Sequence, residues 1–315
     1  MHMNFSEFPF RQNYSSNPSP RPYSNPDSME QIKSHYGIEW DYPEPNIKIY
    51  TMYYGREVCK NNQGATSIDP VAAKLYSTVK KVYEFFEDVF GLRGIEGQGT
   101  ITDLYINWQE KNALWSCPTL NINEICRFNF NDNFAVTEEV VAHEYFHAVI
   151  YNKLNYQGQS GALNESLADV FGIAFKHWLI DEKNLQSPKT WWIGSLRDLS
   201  IPSKIPRNYK VNLNEHNFPI YVKENDYGYV HNNSCIPSYA FYLANQLEGG
   251  RTWGIIAQIW FKAAQDTTLK SDETFASFAH RTIRKASEFG MSRIIFQAWS
   301  DVGVLFTPQI PTMSS

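Results

Sequence analysis

Between Val140 and Val149 the chain reads Val-Val-Ala-His-Glu-Tyr-Phe-His-Ala-Val, an apolar, helix-forming run that carries two histidines and one acid. Residues four apart on a helix project from the same face, one turn above the other. His143 and His147 therefore present two imidazoles to one side of a tetrahedral metal, and zinc is the ion this pair suits best. Glu144 follows the first imidazole and can reach the attacking water rather than the ion. The plain alternative is an amphipathic helix with two partly buried histidines, and the residues downstream decide between the two.

A catalytic zinc takes three protein ligands and keeps one position open. The candidate third ligand is Glu165, which follows His147 by 18 positions, room for a loop and an antiparallel return helix. Asp169 lies four residues further on and shares its face. From there it can accept the outer N–H of a ligand imidazole and fix its tautomer. Two acids together on an otherwise apolar helix are poorly explained as solvated surface groups.

The rest of the chain predicts an α+β fold, a strand-containing N-terminal part followed by a mainly helical one, with the metal helix at the junction. Residues 1–45 are rich in Pro, Ser and Asn and form a leader, a short propeptide or an arm laid across the body. Residues 46–152 make the first subdomain and 153–315 the second. Ile47 to Val58 reads as extended, and Asn61-Asn62-Gln63-Gly64 as the turn of a hairpin. Asp69 and Pro70 are an N-cap and first helical residue, Val71, Leu75, Val79, Val82, Phe86 and Val89 keep a helical period, and Gly91 is the C-cap. Thr100 to Trp108 alternates like a strand, with Leu104, Ile106 and Trp108 on one face. Helical patterns cover 136–151, 162–179, 237–247, 252–264, 272–288 and 291–299, with Ser271 an N-cap and Gly290 a separator. Asn208 to Tyr229 reads as an irregular loop.

Composition narrows the partners. The net charge of −5 gives no basic footprint, which argues against nucleic acid and anionic membrane surfaces. No apolar run is long enough to span a bilayer. The first residues lack the basic and apolar regions of a secretory signal. The four cysteines, Cys59, Cys117, Cys126 and Cys235, contain no C-x-x-C pair. Cys117 and Cys126 could bridge across a loop, but free thiols are the preferred reading without an export signal.

The ordered set of words in this sequence resembles the thermolysin family of zinc metalloendopeptidases. They are His143-Glu144-x-x-His147, Gly161-Ala162-Leu163-Asn164-Glu165-Ser166-Leu167-Ala168-Asp169, Asn112-Ala113-Leu114-Trp115, Ser195-Leu196-Arg197, Asp226-x-Gly228-x-Val230-His231 and a last helix around Gln297-Ala298-Trp299. The resemblance implies one zinc held by His143, His147 and Glu165, with Glu144 as general base. It implies that Asp169 and Asn164 support the ligands and that Tyr156 and His231 stabilise the oxyanion, with Asp226 orienting His231. Arg197 would hold a substrate carbonyl, and Asn112 and Ala113 the substrate backbone. Val140, Ile193 and Leu196 match the pocket for the residue after the scissile bond, implying a preference for bulky apolar residues there. The implied partner is a protein or peptide substrate, acted on by a monomer.

The sequence also departs from that family. Its members often hold a calcium pair beside the active-site helices. Here Glu139 matches one acid, Lys176 replaces another, and Thr190 to Ser195 lacks the rest, so the pair is expected to be absent. No calcium, free thiols and no signal point to a cytoplasmic protease or one exported by a signal-independent route, even into a host cell as an effector or toxin. A catalytically inactive binding protein on the same fold and a zinc hydrolase of non-peptide amides or esters are the competing functions.

Overall fold

A computed structural model of the protein describes residues 46–52, 55–60, 69–95, 103–117, 126–182, 189–201 and 226–305. The tail before residue 46, the turn predicted at Asn61–Gly64 and most of the loop predicted over 208–229 lie outside these residues.

The N-terminal part is a five-stranded sheet. Its strands are β1 (Lys48–Thr51), β2 (Glu57–Lys60), β3 (Asp103–Ile106), β4 (Ala113–Ser116) and β5 (Arg127–Phe130), in the order β2-β1-β3-β5-β4. β1, β3 and β5 run parallel in the centre, while β2 and β4 pair antiparallel at the two edges. Helix α1 (Pro70–Phe90) makes the crossover from β2 to β3. Its predicted caps are in place. Asp69 Oδ1 accepts from the Val71 and Ala72 N–H groups at 2.9 and 3.1 Å, and Gly91 turns left-handed at φ 67°. The hairpin prediction needs correction. Ile47 to Val58 is not one extended run, because the chain reverses between Thr51 and Arg56, where Gly55 takes φ 56° and donates to Thr51 O. A residue with positive φ breaks the extended run that periodicity alone suggested.

The helical part contains α2 (Asp132–Ala135), α3 (Glu138–Val149), α4 (Gly158–Glu182), α5 (Asp226–Asn233), α6 (Cys235–Glu248), α7 (Ile255–Ala264), α8 (Phe275–Ala286) and α9 (Ser292–Asp301), with a two-residue-strand hairpin of β6 (Trp192–Ile193) and β7 (Arg197–Asp198) between α4 and α5. Thr274, not Ser271, caps α8, since its side chain accepts from Ser277 N. Ser271 instead gives its carbonyl to Asn155 N at 2.7 Å.

Aromatic contacts join the helices. Phe86 of α1 meets Tyr145 and Phe146 of α3 at 5.2 and 5.7 Å, and Phe146 stacks on Phe171 of α4 at 4.1 Å. Phe90 stacks on Phe261 of α7 at 4.5 Å. Rings packed this closely in a dry core hold their helices to one arrangement. α3 and α4 approach tightly at Gly172, where an added Cβ would fall 2.6 Å from the Glu139 carbonyl. The two helices that carry the predicted ligands are thus fixed face to face by the core.

His177 on α4 supplies a test of this packing. It is 1% exposed, and its Nε2 lies 3.0 Å from Thr190 O, a carbonyl that can only accept. Nε2 therefore bears the proton, and Nδ1 accepts from the Thr252 hydroxyl at 2.8 Å. Burial lowers the imidazole pKa to about 4, and neighbouring Lys189 and Lys176 add to the shift. Because the folded state refuses a proton that the unfolded chain accepts, this stabilisation is complete above pH 6.5 and lost as pH falls toward 4. The loss is about 3 kcal/mol. Urea midpoints measured across that window will fall more steeply for the natural protein than for His177→Gln.

Candidate active site

α3 and α4 bring the three predicted ligands together. His143 Nε2 and His147 Nε2 are 3.0 Å apart, and Glu165 places Oε2 3.6 Å from the first and Oε1 3.5 Å from the second. A tetrahedral ion about 2.0–2.1 Å from each donor requires edges of about 3.3–3.4 Å. The observed triangle fits. Among the described residues this is the set of His, Cys and acid side chains able to hold a metal. Glu165 is 1% exposed and its Oε2 has no hydrogen-bond donor, as suits an atom meant for a cation.

Both imidazoles are oriented from behind. His143 Nδ1 lies 2.9 Å from Asp169 Oδ1, and His147 Nδ1 lies 2.7 Å from Asn164 Oδ1. Those acceptors hold the proton on Nδ1 and leave each Nε2 lone pair free for the metal. Burial alone would lower the His143 pKa, but Asp169 and Glu165 outweigh it and raise it. For His147 burial wins, so its pKa falls below the ordinary imidazole value. Burial opposes ionisation of Glu165, yet His231, His147, His143 and Arg197 together hold its carboxyl well below the usual range.

Two features were not legible in the sequence. Arg197, the first residue of β7, grips Asp169 with two parallel bonds, Nε to Oδ2 at 2.8 Å and Nη2 to Oδ1 at 2.7 Å. Ligand, acid and guanidinium thus form one line: His143, Asp169, Arg197. The second is the Trp115 N–H, which donates to Glu144 Oε2 at 2.7 Å. β4 is an edge strand, so this donor faces α3 rather than another strand. Only the register of the sheet against α3 reveals it.

Opposite the imidazoles stand Tyr156 and His231. The Tyr156 hydroxyl donates to Glu165 Oε1 at 2.5 Å, and His231 Nε2 is 3.4 Å from both the Tyr156 oxygen and Glu165 Oε1. Asp226 Oδ1 lies 2.7 Å from His231 Nδ1, and its Oδ2 accepts the His231 backbone N–H at 3.0 Å. Asp226, Tyr227, Gly228 and Tyr229 all adopt positive φ, from 51° to 91°, so a left-handed turn folds the acid back onto the histidine. Such a turn costs about 1–2 kcal/mol per non-glycine residue. Burial would lower the His231 pKa, but Glu165 and Asp226 raise it to about 8. His143 and Glu165 are buried and His147 nearly so, whereas Tyr156 is 39% exposed and the His231 side chain 46%.

Two family models, described as the thermolysin metallopeptidase catalytic domain and the thermolysin metallopeptidase alpha-helical domain, match residues 28–151 and 152–304. The chain belongs to the thermolysin metallopeptidase family. It is a zinc metalloendopeptidase with the α+β architecture read from its sequence. Among its relatives is an extracellular metalloprotease of Pectobacterium carotovorum subsp. carotovorum, 31% identical over 259 residues that span 75% of this chain and 73% of that one. Protease PrtS of Photorhabdus sp. (strain Az29) is 30% identical over 264 residues, 75% of this chain and 69% of the relative. The precursor of protealysin, a metalloproteinase from Serratia proteamaculans, superposes with a TM-score of 0.67 at 27% identity, covering 87% of this chain and 92% of the other.

The remaining expectations fare unevenly in this metalloendopeptidase. Asn112 is exposed and Ala113 buried, next to each other at the start of β4. Val140 and Ile193 are buried at 3% and 1%, while Leu196 is 53% exposed. The preference for free thiols is overturned at one pair. Cys117 and Cys126 are joined in a disulfide, leaving Cys59 and Cys235 as buried thiols. The cause is the β4–β5 ladder, which pairs Ser116 with Arg127 and so sets the next two residues face to face. No helix among the described residues is long and apolar enough to cross a membrane.

Proposed function

We propose that this enzyme cleaves peptide bonds that are followed by a bulky apolar residue. The observation that carries the reading is the convergence on one spot of three ligand atoms 3.0–3.6 Å apart, a carboxylate beside them and two side-chain donors across from them. Bound by His143, His147 and Glu165, zinc would supply a polarised carbonyl and a water whose pKa is near 7. Glu144 takes the proton from the attacking water and delivers it to the leaving nitrogen. Tyr156 O–H and the Nε2–H of His231 donate to the oxyanion, each contributing about 3 kcal/mol. Asp226 keeps His231 turned toward it. Arg197, with Nε and Nη2 on Asp169, offers Nη1 to a substrate carbonyl. Asn112 and Ala113 on the edge strand hold the substrate backbone. Val140, Ile193 and Leu196 receive the residue after the scissile bond.

A peptide library cleaved with and without a zinc chelator tests this. Cleavage before Leu, Phe or Ile that stops on chelation is the expected result. A charged residue at that position would reject the pocket, and hydrolysis confined to non-peptide amides would reject the substrate class.

The same reading leaves out the calcium pair. Lys176 Nζ stands 2.9 Å from Glu139 Oε1, a cation where the family resemblance implies metal. Elemental analysis will find zinc without stoichiometric calcium; one or two calcium ions per chain would contradict this. The chain acts as a monomer, since a single copy supplies every group named. Its subdomains are 46–152 and 153–315, a division supported by the two family models meeting after residue 151. The Cys117–Cys126 bridge favours an oxidising compartment and removes the thiol argument for a cytoplasmic one.

A further inference from the structure

Two charged groups with no part in that chemistry meet where α3, α4 and the β6–β7 hairpin touch. Glu139 lies in the first turn of α3 and is 6% exposed. Lys176 reaches it from α4, and the same ammonium donates to the Trp192 carbonyl at 3.2 Å. Glu139 Oε1 in turn accepts the Gly194 N–H at 3.2 Å. One carboxylate oxygen and one ammonium thus tie two helices to the hairpin at both ends of Ile193.

The hairpin itself is short, though Ile193 is buried beneath it at 1% exposure. Each strand is two residues long, with the pairs Trp192–Asp198 and Ile193–Arg197. A two-stranded ribbon of this size is not stable alone, so its orientation is set by what it is fastened to. Other polar anchors include Arg197 on Asp169 and, just before the hairpin, Thr190 O on His177. Lys176 lies one turn beyond Gly172, where α3 and α4 come close, and shares its face of the helix. A nearly buried pair is screened little by salt and holds its geometry better than a surface pair.

We propose that Lys176 is a positioning residue, an internal cation that clamps the β6–β7 hairpin and thereby seats Arg197 and Ile193 against the zinc-ligand helices. It governs substrate binding and discrimination of the residue after the scissile bond. Its kinetic consequences rest on the peptide-cleavage reading; the clamp itself does not.

The test compares full-length Lys176→Met, Lys176→Arg and the double variant Glu139→Gln/Lys176→Met with the natural protein. In Lys176→Met, amide hydrogens of residues 192–198 will exchange about tenfold faster while those of α3 and α4 keep their protection. KM will rise about tenfold with kcat within about twofold, and the preference for a bulky apolar residue will shrink. Lys176→Arg will restore most of both. If Lys176→Met fails to fold because Glu139 is stranded, the double variant removes that charge and is read in the same way. Natural exchange in the hairpin together with a natural KM, in either folded variant lacking the ammonium, overturns the proposal. A natural protein that cleaves no peptide would strike the functional reading instead, and the exchange comparison would still decide the clamp.

Discussion

Glu144→Gln will keep one zinc per chain and lower kcat by about 10²- to 10⁴-fold. The substitution is nearly isosteric, and its amide oxygen can still accept the Trp115 N–H that Glu144 Oε2 accepts at 2.7 Å. His143, His147 and Glu165 are untouched, so the metal floor remains. What disappears is the group proposed to take a proton from the water and return it to the leaving nitrogen. Zinc content and single-turnover cleavage, measured on the same sample, separate the two effects. A variant that still turns over at the natural rate would show that another group removes the proton.

The second large effect is at Asp169, which is fully buried and serves two partners at once. It orients His143 at 2.9 Å and accepts two bonds from Arg197. In Asp169→Asn the buried guanidinium loses its nearer, bidentate counter-charge and keeps only Glu165 Oε2 at 3.5 Å, a change that costs about 3 kcal/mol. The amide also holds the His143 proton less firmly, which lowers zinc affinity by about 10- to 100-fold. Urea unfolding of the metal-free protein reads the first loss, and zinc titration the second. Adding Arg197→Met will recover stability without recovering zinc affinity, because only the guanidinium has been relieved. If both return together, Asp169 acts through Arg197 alone.

These outcomes mark what a linear sequence can and cannot reveal about this enzyme. The candidate zinc triad was legible because helical spacing is rigid. His143 and His147 share a face whatever surrounds them, and Glu165 and Asp169 recur one turn apart on the next helix. The caps of α1 were legible for a similar reason, since Asp69 and Gly91 act on backbone groups within four residues. Long-range pairings were not. Nothing near Arg197 in sequence says that it will meet Asp169 across 28 positions, and the Trp115 N–H on Glu144 depends on which edge of the sheet faces α3. The reversal at Gly55 was missed because Asn61–Gly64 is the louder turn signal, whereas Gly55 is a single glycine inside an alternating run. The Cys117–Cys126 bridge follows from strand register, which spacing alone does not contain. Between these extremes stand Tyr156 and His231. Each was singled out through its flanking residues, and the approach of His231 to Glu165 depends on the left-handed turn at Asp226–Tyr229.

The central claim is that one ion, held by His143, His147 and Glu165, is needed for peptide cleavage. The measurement that tests it most directly is the cleavage rate as a function of zinc bound per chain, with metal stripped by a chelator and then returned in steps. The stripped protein will show no cleavage, and the rate will rise linearly and saturate at one zinc per chain. Full activity in the zinc-free protein, or activity that appears only with a second ion, would contradict it.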